Sequence, residues 1–461
     1  MNALAQPTAV IRAPWREALG VWCRVAALSF GGPAGQIGVM QRLLVEEKRW
    51  VSQERFLHAL NFCMLLPGPE AQQLAIYLGW LLHGNAMGIV AGTLFVLPGF
   101  ASILALSFAY VTWQGTGVVA AIFYGLKPAV LAVVLAALVR LGRRALDGSA
   151  KRALAAFAFV AIFFLALPYP LVVAAAAAGG WWLGRLGIGG FGRRAGDGAT
   201  LDDENHQLSA AALRAPTWRR ALRVAGCWVP LWWAPVLLLW AALGARHVLV
   251  REGVFFGETA MVTFGGAYAV LAYVAQRASA GFGWLSPREM LDGLGMAETT
   301  PGPLIQVVQF VGFIAAWRHP GPLAPPVAAL LGSLVTAWMT FVPSFLWIFL
   351  GAPSMERLRG RRGLTDALAA ITAAVVGVIL QLAVWFALHT LFGGVREIPL
   401  VAGPWVVGRL WAPALATLDP WALGIAAGAC WLLFRTRAGM LATLGAAVAA
   451  GALVQGARFL F

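Results

Sequence analysis

Two copies of Pro-Gly-Pro interrupt apolar segments of this sequence, at Pro67–Pro69 and at Pro301–Pro303. Proline removes a backbone donor and glycine allows unusual dihedral angles, so each copy is predicted to end one helix and let another begin. A second pair of breaks is predicted at "FGGP" (30–33) and "FGGA" (264–267). A helix that starts at a break presents unpaired N–H groups, which bind an oxyanion where they line a cavity.

Polar side chains near these breaks are predicted to donate hydrogen bonds to the anion, and Lys127, in the middle of an apolar run, is its predicted cation. The predicted substrate-binding residues are Ser29, Gly31, Gly32, Pro33, Gln36, Pro67, Gly68, Pro69, Gln72, Lys127, Thr263, Gly265, Gly266, Thr299, Thr300, Pro301, Gly302, Pro303 and Gln306. Structural interpretations stay open: glycine and proline also kink or pack membrane helices, hydroxyls bond their own backbone, and lysines snorkel or form ion pairs.

The breaks belong to an internal repeat. A step of 234 residues carries Ser29-Phe-Gly-Gly onto Thr263-Phe-Gly-Gly, Pro67-Gly-Pro onto Pro301-Gly-Pro, and Gln72 onto Gln306. Beyond these landmarks the step becomes 245 residues, which aligns Pro98 with Pro343. The sequence therefore predicts a duplicated transmembrane unit.

Composition defines the class of protein. Of the 461 residues, 60% are hydrophobic and 11% are charged, and the mean hydropathy is +0.77. Apolar runs of about 20 residues recur along the chain, each long enough to cross a bilayer as a helix. The net charge of +15 is concentrated in short loops between these runs, as in cytoplasmic membrane loops, and does not indicate nucleic-acid binding.

The predicted fold is an all-α polytopic membrane protein with about thirteen transmembrane helices. Spans A to F cover 17–40, 57–82, 87–112, 117–140, 152–167 and 170–186; a linker span covers 224–245; the second half repeats A to D at 254–276, 290–316, 324–350 and 366–392 and ends with 420–435 and 438–460. The predicted domains are a first repeat (1–190), a cytoplasmic loop (191–223), a linker helix (224–252) and a second repeat (253–461).

Arginine and lysine give these spans a direction. The most basic loop of the first half follows span D, at 140–152, whereas the comparable loop of the second half, at 357–362, precedes its copy. If both loops are cytoplasmic, the halves form an inverted repeat with broken helices. The loop 41–56 fits slightly less well, because it would lie outside with four basic residues, which its three glutamates nearly balance. Segment 405–419 is too short and interrupted to be assigned as a span.

Four charged residues are candidates for charge coupling: Arg24, Glu70, Glu258 and Glu298. Arg24 and Glu258 are equivalent in the repeat, so we expect an ion pair between them, either structural or exchanged during transport. Glu70 directly follows the first Pro-Gly-Pro, where it could cap the helix, hold a proton or repel unwanted anions. Its counterpart is Leu304, so only one half has this acid.

Other chemistries are poorly represented. The chain has no Walker A loop, no HExxH motif and no loop large enough for an ATPase domain, and its histidines and four cysteines show no metal spacing. We therefore expect no cofactor, no metal and no enzymatic activity. A membrane-embedded transferase would need an acidic metal-binding cluster, for which only Glu46-Glu47 and 202–204 offer acidic residues.

The chain resembles the chromate ion transporter family, in its long two-domain form. The resemblance rests on "FGGPAGQIGVMQRLLVEEKRW", "LLPGPEAQQLAIYLGW" and "GLKPAVLAVV", with "FGGAYAVL" and "TTPGPLIQVVQFVGF" in the second half. It implies an inner-membrane exporter of chromate, with sulfate as the structural analogue, driven by the membrane potential, a proton gradient or anion exchange. The chain departs from the family pattern at Gln36, where histidine is common, and at Ala267, where the second copy lacks its proline.

The expected function is thus a multi-pass secondary transporter in a bacterial inner membrane, which exports chromate or a sulfate-like oxyanion. The anion would bind at half-helix N-termini where the repeats meet. The expected partners are the oxyanion and the lipid bilayer, without nucleic acid; the sequence allows a homodimer. Alternatives are a permease for another small anion, such as sulfate alone or an organic anion, the membrane-embedded transferase, and a purely structural membrane subunit.

Overall fold

The computed structural model describes residues 14–30, 32–188, 217–264, 266–354, 362–402, 405–436 and 438–460. Gly31, Gly265 and most of the predicted cytoplasmic loop 191–223 lie outside the described residues. The helices are α1 Trp15–Leu28, α2 Gly32–Gln41, α3 Gln53–Cys63, α4 Glu70–His83, α5 Asn85–Trp113, α6 Gly117–Ala145, α7 Ser149–Phe163, α8 Tyr169–Leu186, α9 Trp218–Leu243, α10 Val248–Val262, α11 Ala267–Gln276, α12 Pro287–Thr299, α13 Val307–Arg318, α14 Pro325–Gly351, α15 Arg362–Leu391, α16 Pro420–Arg435 and α17 Met440–Leu460.

Six of the described helices are long and apolar enough to cross a membrane, so the chain is a multi-pass helical membrane protein. They are α5, α6, α9, α14, α15 and α17. Short π-helical turns at Arg42–Glu47 and Arg277–Gly281 extend α2 and α11, and a 3-10 turn at Leu304–Gln306 precedes α13. The linker helix α9 begins at Trp218, six residues before its predicted start at 224.

The predicted breaks are present, and in the second half the chain reverses direction at each of them. Glu289, in the first turn of α12, forms a salt bridge with Arg318, the last residue of α13. Two helices of 13 and 12 residues joined end to end would hold these residues about 35 Å apart. In the same way, Phe255 midway along α10 contacts Phe282 beyond α11, with ring centroids 5.3 Å apart. Both pairs are therefore helical hairpins.

The first half contains the same two hairpins. Glu17, in the first turn of α1, pairs with Lys48 beyond α2 at 2.6 Å. Phe62, at the end of α3, packs against Tyr77, two turns into α4, with ring centroids 6.0 Å apart. Trp15 also contacts His83, at the end of α4, so the outer ends of both hairpins lie on one side of the molecule.

The prediction that span A, span B and their copies each cross the membrane is therefore wrong, because all four turn back at their breaks. The correction moves the loop 41–56. α4 joins α5 through Gly84, so α5 starts on the side where the outer ends of both hairpins lie. α5 crosses the membrane and α6 crosses back, so the loop 41–56 lies on the same side as the basic loop after α6. We call this side the basic face. The loop that fitted the predicted topology least well thus lies with the other basic loops.

Equivalent long helices of the two halves run in opposite directions. Gly88, at the start of α5, packs against Phe349 at the end of α14, and Gly92 packs against Phe345. α6 and α15 are also antiparallel, because Tyr124 near the start of α6 bonds Asp419, whose N–H donates to Leu391 at the end of α15.

One β-hairpin departs from the predicted all-α fold. β1 Val395–Ala402 and β2 Trp405–Pro413 pair antiparallel, with Val395 opposite Pro413. The N–H of Arg409 donates to Phe164 O at the end of α7, which attaches the hairpin to the helices. The segment 405–419, which could not be assigned as a span, is thus mostly strand rather than helix.

The hairpin topology predicts the result of cysteine labelling. In a background without Cys23 and Cys227, which are exposed, we place single cysteines by Glu46→Cys, Ser149→Cys and Gln114→Cys. A membrane-impermeant maleimide should label Glu46→Cys from the same side as Ser149→Cys and from the opposite side to Gln114→Cys. Labelling of Glu46→Cys together with Gln114→Cys would show that span A crosses the membrane.

Candidate anion-binding site

The four hairpin tips meet in two junctions, each made by one tip from either half. In the first junction, the N–H of Gly68 donates to the carbonyl of Thr263 at 2.9 Å. In the second junction, the N–H of Gly302 donates to the carbonyl of Ser29 at 2.8 Å. Donors and acceptors are both related by the 234-residue step, so each Pro-Gly-Pro binds the Phe-Gly-Gly break of the other half.

The glycines of Pro-Gly-Pro are required by conformation and by space. Gly68 has φ 123° and Gly302 has φ 107°, a region that side chains rarely adopt. A Cβ on Gly302 would lie 3.0 Å from the Cα of Gly99 in α5, and one on Gly68 would lie 3.3 Å from the hydroxyl of Ser344 in α14. Gly99 and Ser344 are equivalent by the 245-residue step, so each tip packs against the long helix of the other half.

The hydroxyl groups predicted to donate to an anion donate instead to their own helices. Ser29 Oγ lies 2.6 Å from Val25 O, and Thr263 Oγ1 lies 2.7 Å from Thr259 O. Thr299 and Thr300 likewise donate to Met296 O at 2.9 Å and Ala297 O at 3.3 Å. The structure therefore has the backbone-bonded arrangement, in which these hydroxyls close the helix ends at the breaks.

The glutamine amides tie the junctions to their surroundings. Gln36 Nε2 donates to Gly302 O in the second junction, and Gln72 Nε2 lies 3.5 Å from Phe341 O of α14. Gln306 donates to Gln309 Oε1 at 2.6 Å, and Gln309 donates to Phe100 O. Gln309 was not predicted, although it lies one helical turn after Gln306. All of these side chains are buried.

Helix N-termini supply the remaining donors. α4 begins after Pro69, α11 after Gly266, and the Leu304 turn after Pro303, and none of these positions has a side-chain cap. Gly32, with φ 67°, and Pro33 begin α2 beside the second junction. The first N–H groups of a helix have no partner within it, so these ends retain donors and a partial positive charge.

The two junctions differ in acidic side chains. In the first junction, Glu70 Oε1 lies 3.9 Å from the position that a Cβ of Gly266 would take. Glu298 accepts a 2.7 Å hydrogen bond from Tyr268, in the first turn of α11. Two carboxyl groups thus lie near the start of α11. At the second junction the residue equivalent to Glu70 is the buried Leu304.

Lys127 has an acidic partner that sequence analysis missed. Its Nζ lies 3.1 Å from Asp292 Oδ1 of α12, and Tyr110 donates to Asp292 Oδ2 at 3.0 Å. The Lys127 side chain is 23% exposed and Asp292 is 6% exposed. Asp292, the one acid in "MLDGLGM" (290–296), was the available signal, because a lysine at that depth needs a partner.

This ion pair borders a polar cavity of about 490 Å³, which opens between the ends of α5, α12, α15 and α17 away from the basic face. Three basic residues line the cavity against two acids: Lys127, Arg288 and Arg458 against Asp292 and Asp419. Burial raises the pKa of Asp419, but hydrogen bonds from Tyr124 and the start of α16, with the charge of Arg458, bring it below its usual value. The acid is therefore ionised at neutral pH.

The expected ion pair between Arg24 and Glu258 is absent, which corrects that prediction. Arg24 instead lies 3.5 Å from Glu47, at the end of its own hairpin, and Glu258 is exposed on α10. Equivalence in the repeat gave both residues outward-facing positions on their helices and did not bring them together. Within the described residues, no three His, Cys, Asp or Glu side chains are grouped so that they could hold a metal ion.

Paired helix breaks, half-helices without side-chain caps and a basic cavity occur together in this helical membrane protein, which makes them the candidate anion-binding region. The chain belongs to the chromate transporter family, whose sequence profile matches residues 16–181 and 252–454. This confirms the resemblance found in the sequence. The curated relatives named below are described as transport proteins, so the chain belongs to a family of transporters and not of enzymes.

Three relatives carry this assignment. The chain is 33% identical to a chromate transport protein of Pseudomonas aeruginosa over 358 residues, 76% of each chain. It is 27% identical to a chromate transport protein of Cupriavidus metallidurans, over 79% of this chain and 80% of that protein. It is also 27% identical to a probable chromate transport protein of Synechococcus elongatus, over 77% and 80%. No solved structure matches the chain.

The Lys127–Asp292 pair predicts compensation between two substitutions. Lys127→Met should destabilise the protein, by up to about 3 kcal/mol, because it leaves Asp292 buried without its cation. Adding Asp292→Asn should restore most of the lost stability. The thermal unfolding midpoint, measured in detergent for the single and the double variant, checks this. If Lys127 also attracts the anion, the double variant remains defective in transport. Equal stability of wild type and Lys127→Met would contradict a structural role for the pair.

Proposed function

We propose that this protein is a secondary active transporter that exports chromate, and sulfate-like dianions, across a bacterial inner membrane. The observation that carries the proposal is the pair of junctions between the halves, each with uncapped helix starts in an apolar protein. Membership of the chromate transporter family supports the substrate, since relatives that match three quarters of the chain are described as chromate transport proteins.

The two halves form an inverted repeat in this proposal. Support comes from the antiparallel directions of α5 and α14 and from the reciprocal hydrogen bonds at Gly68 and Gly302. The family profile also matches in two blocks, 16–181 and 252–454. In inverted-repeat transporters, discontinuous helices at the repeat interface form the substrate site. The first repeat (1–190), linker helix and second repeat (253–461) are the units that the proposal assigns to these blocks.

The second junction is the proposed anion site. Its helix starts, at Gly32 and Leu304, carry the positive ends of two half-helix dipoles. The first junction has the same backbone but also holds Glu70, whose carboxylate, when ionised, would repel a dianion. Glu70 and Glu298 therefore remain charge-coupling candidates, and the second junction binds substrate.

The polar cavity beside Lys127 is the proposed route between this site and the face opposite the basic loops. α12 links the two, because Asp292 borders the cavity and the second Pro-Gly-Pro follows the end of the helix. Lys127, Arg288 and Arg458 give the route an excess of positive charge, which raises the local concentration of an anion. At the inner end of this route the anion meets Lys127, whose charge is already paired with Asp292.

The membrane potential suits this direction of transport. With the basic face cytoplasmic, as the distribution of arginine predicts, the cavity opens outward. A dianion that leaves a cell with a negative interior gains about 2.3 kcal/mol per charge for each 100 mV of potential. Export of chromate can therefore be driven without ATP.

A permease for sulfate or for another small anion is the alternative. Backbone N–H donors recognise charge and oxygen geometry, so a site of this kind discriminates weakly between tetrahedral dianions. Sulfate competition therefore measures selectivity within the same proposed site.

The transport proposal predicts uptake of labelled chromate into inside-out vesicles. Uptake should require the protein, should fall when the potential is collapsed by an ionophore, and should be reduced by excess sulfate. Vesicles without the protein give the background. Absence of chromate uptake above that background, with correctly inserted protein and an intact potential, would refute chromate export.

The choice of junction predicts the effect of a charge at residue 304. Leu304→Glu reproduces the acid of the first junction in the second and should reduce chromate uptake at least tenfold. Leu304→Gln, of nearly the same size but uncharged, is the matched control and should retain most of the activity. Similar uptake by both variants would place the anion elsewhere.

A further inference from the structure

Glu252, on α10, is a buried acid that takes no part in the proposed anion site. The residue is fully buried, and neither carboxyl oxygen has a hydrogen-bond partner among the described residues. A single ionised carboxylate in such surroundings is costly, whereas its protonated form is neutral. An acid of this kind requires an explanation in terms of what it binds.

The carboxyl group lies at a close crossing of three helices. A Cβ on Gly332 of α14 would be 3.1 Å from Glu252 Oε2 and 2.6 Å from the carbonyl oxygen of Gly312 on α13. One turn further along α14, Thr336 Oγ1 contacts Gly312 and is fully buried, and no described residue bonds to it. The absence of side chains at Gly312 and Gly332 therefore leaves room for the carboxyl group.

The first half builds the equivalent crossing without polar side chains. Gly79 of α4 packs against Met87 and Ala91 of α5, which are equivalent to Gly332 and Thr336 by the 245-residue step. The residue equivalent to Glu252 is Ala18, which is also fully buried. The same helix packing is thus achieved with apolar residues, so the fold does not require the acid or the threonine.

In the part of the chain that the structure describes, no charged group pairs with Glu252. The elements packed against α10 are α9, α11, α13 and α14. α11 and α14 carry no charged residue, Arg318 of α13 pairs with Glu289, and the arginines of α9 lie in its first two turns, near the basic face. On and beside α10 itself, Arg251 lies over the Phe282 ring, as does Arg277, His247 contacts Pro320 O, and Glu258 is exposed.

We propose that Glu252 is the proton-binding residue of the transporter, which takes up a proton from the outer side in exchange for the exported anion. The step is the binding of one proton by one carboxylate, and its release to the cytoplasm closes the cycle. Glu252 is in the second turn of the hairpin from the face opposite the basic loops. Parting of α10 from α14 at that end would expose it to outside water.

This inference rests on the proposed function, because the proton is exchanged for the anion. The exchange moves a dianion outward and a proton inward, so both movements make the interior of the cell more positive. An inside-negative potential drives each of them.

The test uses the full-length protein in liposomes that contain a pH-sensitive dye, with labelled chromate to follow the anion. In the wild type, chromate movement should be accompanied by proton movement in the opposite direction. Glu252→Gln, which mimics the protonated acid, should lose at least nine tenths of the proton movement per chromate transported. Glu258→Gln, on the exposed side of the same helix, is the matched control and should keep it.

A second measurement does not depend on transport. The infrared difference spectrum of wild type minus Glu252→Gln should contain the carbonyl band of one protonated, buried carboxylic acid, and the difference spectrum of wild type minus Glu258→Gln should lack it. Glu252→Ala, which restores the residue of the first half, serves the same comparison if the glutamine variant folds poorly. An unchanged band in these Glu252 variants would overturn the proposal.

The outcomes separate this inference from the proposed function. Chromate transport without proton movement in the wild type would overturn the role of Glu252 and leave chromate export standing. So would unchanged proton movement per chromate in Glu252→Gln. If the wild type transports no chromate at all, the proposed function fails, and the inferred exchange at Glu252 fails with it.

Discussion

The structure depends on backbone groups that each half leaves open at its breaks and the other half satisfies. Within a bilayer an unpaired N–H or C=O costs several kcal/mol, so a break is tolerated only where protein or water supplies a partner. Gly68 and Gly302 donate to Thr263 and Ser29 across the two halves. Neither pair of tips could be placed at that depth without the other, which makes the two halves one folding unit.

This shared backbone carries unequal side chains. The two junctions have matching hydrogen bonds, but their side chains differ. In the repeat, the position of Glu70 is equivalent to that of Leu304, and the position of Ala18 is equivalent to that of Glu252. Symmetric packing fixes where helices start and end, whereas the side chains at equivalent positions are free to differ. Duplication therefore supplies two similar backbone arrangements whose side chains can differ. The first junction has the acid Glu70, whereas the second junction, the proposed anion site, has Leu304 in its place.

The repeat, the breaks and the family were predictable because they depend on local residue types at fixed spacing. The hairpins were not, since an apolar run broken by Pro-Gly-Pro looks the same whether the chain continues or turns back. The misplaced basic loop at 41–56 was the available signal. Glu252 was missed because it stands between two predicted spans, 224–245 and 254–276, where an acid resembles an interfacial residue. The structure instead buries it fully beside Gly332.

The junctions also limit how the molecule can move. Gly302 lies against Gly99 of α5, and Gly68 lies beside Ser344 of α14, so each tip is held by the opposite half. A rotation of one half as a rigid body would have to separate both contacts and break both backbone hydrogen bonds within an apolar medium. Movements that preserve these bonds leave the tips in place and displace the outer ends of the hairpins, where salt bridges such as Glu289–Arg318 are accessible to water. In the proposed transport cycle, the helix ends would then control access to the anion site from either face, and the junctions would act as pivots.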